Sequence, residues 1–188
     1  MILLILGLVA FFAVHLVSAV PGLRAGLVRK FGEIGYKVFF SIASLATLVF
    51  LIWTYAQAPL VEIWTPPPWT RLVAMVAMLV ALIVLMGAFF PGAIKQQLKH
   101  PMLAAIKIWA IVHLLANGDL AGMLLFGGFL AYGVINRVAA RRRDEYMPVS
   151  SVRAGWRNDL IAVVLGLALY AAFVGFLHER LIGVALTG

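Results

Sequence analysis

Two histidines lie where lipid would surround them. His15 falls in the run ILLILGLVAFFAVHLVSAV, and His113 in KHPMLAAIKIWAIVHLLANGD. Imidazole binds metals, carries protons and donates hydrogen bonds. Ionisable groups inside a bilayer are costly, and they face a bundle interior, a cofactor or a pathway. One such histidine is explained by a bond to a carbonyl across a helix interface. Two on separate helices at comparable depth point instead to an axial pair on haem iron.

The His113 run carries other polar groups. At 100° per residue Ile106, Trp109, Ala110, His113 and Asn117 share one helix face. Trp109 beside His113, with Ala110 leaving space, would line a flat aromatic ligand; packing explains the same pair. Lys107 lies ~120° from His113, nearer His100, Leu103 and Leu114. It either partners an anion such as a haem propionate or snorkels ~12 Å to the interface. His100-Pro101 marks the start of this helix, at a membrane border where headgroups or a polar substrate are within reach. Pairing of His15 with His100 is the rival to pairing with His113. Asn117-Gly118-Asp119 reads first as a turn that caps the following helix. His178 reads as solvated.

These residues need a membrane to hold them. The chain is 64% hydrophobic and 12% charged, with a net charge of +8 and no cysteine. A soluble chain carries roughly twice that share of charge. Disulfides, thiolate metal sites and cysteine nucleophiles are excluded. In such a chain the positive charge reports topology and anionic lipid rather than nucleic acid. The expected fold is all-α: an integral membrane six-helix bundle forming a single transmembrane domain over residues 1–188. The spans are expected at about 2–20, 36–56, 69–90, 101–116, 120–138 and 160–177, each near the ~20 residues a crossing needs.

Lysine and arginine orient the spans. Arg24, Arg29 and Lys30 fall in the first connection, Lys95 and Lys99 in the third. Arg137, Arg141, Arg142, Arg143, Arg153 and Arg157 fall in or around the fifth, where an interfacial segment is expected. These connections are expected to be cytoplasmic and both termini periplasmic, in a bacterial inner membrane. Trp53, Tyr55, Trp64 and Trp69 fit an outer aromatic belt, and the Pro66-Pro67-Pro68 run a stiff extended loop. Val17-Ser18-Ala19 resembles a cleavage site, but no positive charge precedes it and basic residues follow, which argues against removal. Upright helices would put His15 ~13 Å and His113 ~21 Å from the cytoplasmic border, a mismatch that tilt can absorb.

The motifs also resemble a known family. Gly7, Phe11 and His15, then Gly32-x-x-Gly35-Tyr36-Lys37, are similar to the NnrU family. So are Trp64-x-Pro-Pro-x-Trp69, His100-Pro101-Met102, Trp109-x-x-x-His113-Leu114, Asn117-Gly118-Asp119 and Leu125-Phe126-Gly127. That family is named for its link to nitrite and nitric oxide reductase expression. It is similar in turn to the plant and cyanobacterial 15-cis-zeta-carotene isomerase, a membrane haem b protein. The resemblance implies His15 and His113 as haem ligands; the wheel reading adds Trp109 beside His113 and Lys107 or a loop arginine near a propionate. The isomerase has a cysteine three residues before the second histidine; here that residue is Ala110, so its redox-linked ligand change does not carry over. The resemblance implies redox or isomerase chemistry on a hydrophobic polyene, or an accessory role for respiratory reductases.

A more distant likeness joins Lys99-His100-Pro101 to the Arg-His-Pro motif of integral-membrane methyltransferases, which use S-adenosylmethionine at the cytoplasmic face. The tyrosine and glycine that follow there are Leu103 and Ala105 here. Asp144-Glu145 is the one candidate for the acidic pair those enzymes carry.

Overall fold

A bilayer offers no water to backbone N–H and C=O groups, so a spanning segment must bond its own backbone. The apolar runs duly form helices. The computed structural model describes residues 1–17, 20–146 and 155–186. The helices are α1 (Ile2–Val17), α2 (Pro21–Ala56), α3 (Trp69–Met86), α4 (Ala93–Leu98), α5 (Pro101–Ala116), α6 (Leu120–Tyr146), α7 (Trp156–Ala172) and α8 (His178–Ile182), with a π-helical turn (Phe173–Leu177) joining the last two. The described residues hold no β-strand, only an isolated bridge between Glu62 and Asp119. Four helical stretches are long and apolar enough to cross a membrane: Gly22–Ala56, Trp69–Met86, Leu120–Ala140 and Trp156–Ile182. Helices α1 and α5 are apolar but shorter. The protein is an all-helical, multi-pass membrane protein.

Several boundaries differ from expectation. Residues 21–31, expected as part of a connection, are helical and run into α2 through a break at Gly32. Its φ of 73° is a conformation that only glycine adopts cheaply. Helix α6 runs on to Tyr146, well past the expected end of its span. The last span continues through its π-turn to Ile182 and stops at Gly183, in the left-handed conformation that ends many helices. The short α4 was not anticipated. Ser18, Ala19 and Arg153 lie outside the described residues.

The order of packing is α2, α1, α6, α5, α3, α7. Glycines allow the closest crossings. A Cβ on Gly166 of α7 would stand 2.7 Å from the Ile83 backbone of α3. One on Gly7 of α1 would meet Thr54 and Leu51 of α2. Leu4, Leu8 and Phe11 of α1 form a core cluster with Leu51 of α2 and Ala121 of α6.

The two ends of the bundle differ in charge. At one end lie Met1, residues 57–68, the 117–119 turn and the C-terminal residues, whose Ala185 and Leu186 carbonyls accept from Arg71. At the other lie the start of α2, α4 and the far end of α6, with Arg24, Arg29, Lys30, Lys95, Lys99, Arg137 and Arg157. This basic end is tied together by Asp159 at the start of α7. Its carboxylate accepts from the Ala93 and Ile94 amides at 2.8 and 3.0 Å, capping α4 from another helix. Asn158 donates to the Pro91 carbonyl beside it.

Replacing Asp159 by alanine leaves both amides without their acceptor, and losing a cap costs about 1 kcal/mol. We expect a lower thermal midpoint in detergent for Asp159→Ala, and a smaller drop for Asp159→Asn, which keeps one carbonyl acceptor.

Candidate functional site

Helix α6 carries the site. It runs parallel to α1, since Leu8 lies against Gly128 and Phe12 meets Tyr132. It runs antiparallel to α5, since Trp109 meets Phe129 while Lys107 meets Gly133. The tight turn between α5 and α6 enforces that register. The Ile63 and Trp64 amides both donate to the Gly118 carbonyl, at 2.7 and 3.1 Å, and the Leu120 amide donates to Val61. A Cβ on Gly118 would run into the Trp64 carbonyl. Asp119 accepts from the Gly122 amide at 2.7 Å and so caps α6. The extended strap 58–68 is thereby latched over the turn.

The two intramembrane histidines have the same local chemistry. His15 donates its Nδ1–H to the Phe11 carbonyl at 2.8 Å, and His113 donates its Nδ1–H to the Trp109 carbonyl at 2.8 Å. A carbonyl only accepts, so Nδ1 carries the proton in each ring, which in the neutral tautomer leaves the lone pair on Nε2. This is the arrangement in which a metal-ligating imidazole is held by a partner on its other nitrogen.

Aromatic rings join the pair. His15 stacks on Phe11 at 4.0 Å between centroids, Phe11 meets Phe129 at 5.2 Å, Phe129 meets Trp109 at 5.2 Å, and Trp109 meets His113 at 5.5 Å. Tyr132 and Phe40 flank His15, and Phe126 lies 4.7 Å from His113. The imidazoles do not touch. Their neighbours Tyr132 and Phe126 are six residues apart on α6, about 9 Å of rise. Each ring leans toward the N-terminus of its own helix, as helical side chains do. Because α1 and α5 run in opposite directions, both lean toward the level of Phe129.

The other predicted residues are placed as follows. Trp109 packs edge-on against Phe126 and Phe129. Ala110 is wholly buried and packs as a helix contact. Lys107, expected on a separate face from His113, also meets α6, its stem lying over Gly133. His100 and Pro101 open α5 at the basic end, away from the imidazoles, just after Lys99 with its positive φ of 58°. Asn117 ends α5 in extended backbone. The side chains of Asp144 and Glu145 lie outside the described residues. His178 donates to the Val184 carbonyl at the opposite end.

Phe129 and Tyr132 were not singled out in the sequence, and Phe126 appeared there only within the Leu125-Phe126-Gly127 motif. Their signal was an aromatic every third residue beside Gly127-Gly128, leaving one face of α6 open to both α1 and α5. Ser44, one turn beyond Phe40 on α2, has a buried hydroxyl without a hydrogen-bond partner.

No three of His, Cys, Asp and Glu come together among the described residues to hold a bare ion. Haem iron asks the protein only for axial ligands, because the porphyrin supplies the rest. Two imidazoles on separate helices are donors of the type that haem takes.

Residues 3–186 match the protein family described as NnrU protein. No curated protein and no solved structure matches the chain.

Phe129 is the ring on which α1 and α5 both converge. Removing a buried phenyl costs about 3 kcal/mol, and Phe129 is partly buried. Phe129→Ala should therefore lower the thermal midpoint clearly, and Phe129→Leu by less than half as much, as read by thermal unfolding in detergent.

Proposed function

The chain belongs to the NnrU protein family, and on that premise we propose that it holds one haem b in the seam between α1 and α5. His15 and His113 would hold its iron. The observation that carries this reading is their shared hydrogen-bonding pattern, Nδ1–H to a carbonyl one turn back, at two ends of one run of aromatic rings. Bound haem b would supply one-electron redox chemistry. The chain's own residues do the rest. Phe11, Trp109 and Phe129 exclude water, and the backbone bonds hold each imidazole in one tautomer. Ala110 stands where the isomerase carries its cysteine, so we place the role in redox chemistry on a hydrophobic small molecule or in support of denitrification.

The same reading takes α1 and α5 as spans along with the four longer helices, giving six in a bacterial inner membrane. The basic end faces the cytoplasm, because lysine and arginine are retained there, and both termini face the periplasm.

Protein purified from haem-sufficient cells should show the Soret band of a six-coordinate haem. His15→Ala and His113→Ala should each shift or abolish it. Absence of the band, or a band unchanged in both variants, would overturn the assignment. Alkaline phosphatase fused at the C-terminus should be active, and inactive when fused within residues 141–146.

A further inference from the structure

Helix α2 is longer than a crossing requires. Its stretch from residue 33 to Ala56 rises about 36 Å, enough by itself for the ~30 Å hydrocarbon core. Residues 21–31 exceed that need, and Gly32 parts them from the span with a φ of 73° and a ψ of 166°. They do not continue the axis of the span. Arg24 lies over the Tyr36 ring, 5.8 Å from its centroid. A straight helix would separate these two residues by about 18 Å along its axis and about 120° around it. The segment is therefore turned at Gly32, across the start of the span.

Its residues are sorted around the helix. At 100° per residue Leu23, Leu27 and Phe31 form one apolar stripe, with Val20 in line just ahead of it. Arg24 and Lys30 stand about 60° to either side of Leu27, and Arg29 about 160° from it. Val20, Leu23 and Phe31 are exposed and Leu27 is half-buried, so the bundle leaves most of the stripe uncovered. Arg24, Arg29 and Lys30 are exposed as well. An apolar stripe with cations on both flanks belongs to a helix that lies in the membrane interface. The basic side chains can rest their stems on the acyl boundary and keep their charges among the headgroups.

We propose that residues 21–31 form an in-plane helix that docks on the anionic headgroups of the leaflet at the basic end. Leu23, Leu27 and Phe31 enter the acyl boundary, Arg24 and Lys30 meet lipid phosphates at the flanks, and Gly32 is the elbow that lays the helix flat. The occupant is an anionic phospholipid surface, because the segment carries Arg24, Arg29 and Lys30 and no acidic residue. Only the crossing of α2 is needed for this docking; haem does not enter into it.

The chain has no cysteine, so a single one can carry an environment-sensitive fluorophore. Leu23→Cys, Ala25→Cys and Phe31→Cys are each labelled, and the full chain is reconstituted in phosphatidylcholine vesicles containing phosphatidylglycerol. Lipid brominated on its acyl chains quenches a label from the membrane, and acrylamide quenches it from water. Labels at 23 and 31 should be quenched alike by brominated lipid, and the label at 25 by acrylamide. A span running straight through Gly32 would put 23 and 31 about 12 Å apart in depth, and that graded result overturns the proposal. A label at 23 open to acrylamide overturns it too, since the stripe would then face water and await a protein or a second copy.

Charge is tested in the Leu23→Cys protein, with the bromine carried by either lipid. At equal content brominated phosphatidylglycerol should quench several-fold better than brominated phosphatidylcholine. Arg29→Gln with Lys30→Gln should remove most of that preference and leave quenching by brominated phosphatidylcholine as it was. Lys95→Gln removes a cation at the same end, on α4, and should leave the preference in place. Equal quenching by the two lipids in the Leu23→Cys protein overturns the docking. A loss as large in Lys95→Gln marks a response to net charge alone and overturns it as well.

Discussion

The register of the α5–α6 hairpin governs the rest of the molecule. Gly118 sits against the carbonyl of Trp64, and the strap 58–68 bonds across that turn. So short a turn leaves α5 no freedom to slide along α6. Trp109 must then meet Phe129, His113 must meet Phe126, and Lys107 must cross Gly133. Helix α1 packs along the same α6 in the parallel sense, which brings Phe11 to the Phe129 ring. A slip of one residue in the hairpin would turn every one of these side chains about 100° away.

The histidines show how lipid shapes polar chemistry. Inside a bilayer an unpaired donor is expensive, so each imidazole gives its Nδ1 proton to a carbonyl of its own helix. That bond keeps the proton on Nδ1 of each ring. It also ties each ring to the level one turn toward its helix N-terminus. Because α1 and α5 are antiparallel, two identical local bonds tilt the imidazoles toward a shared level.

Charge is distributed by the same constraint. The basic residues gather at the end where α2 begins and α6 finishes, while Glu62, Asp119 and Glu179 belong to the other. Among the described side chains the acidic ones at the basic end are Glu33, which pairs with Lys37, and Asp159, which accepts from the amides of α4. Lys107 and Arg137 are the cations that the structure carries inward from that end, and Gly133 gives the lysine its passage.

Apolar length, basic clusters and turn residues follow the cost of burying backbone and charge in lipid, a cost each residue carries with it. Helical character, the polar residues within it, the tight 117–119 turn and its Asp119 cap were therefore legible in the chain. So was the wheel face shared by Trp109 and His113. The helix over residues 21–31, its break at Gly32 and the short α4 were not, because a basic amphipathic stretch and a loop look alike until packing and a cap from Asp159 decide between them. Nor could a helical wheel of α5 place Lys107 against α6, since a long stem reaches beyond its own face. Which α6 ring stands between the two imidazoles, and which glycine admits the lysine, depend on the relative direction of three helices. Only tertiary packing settles that direction, because contacts between distant segments are absent from any local pattern of residues.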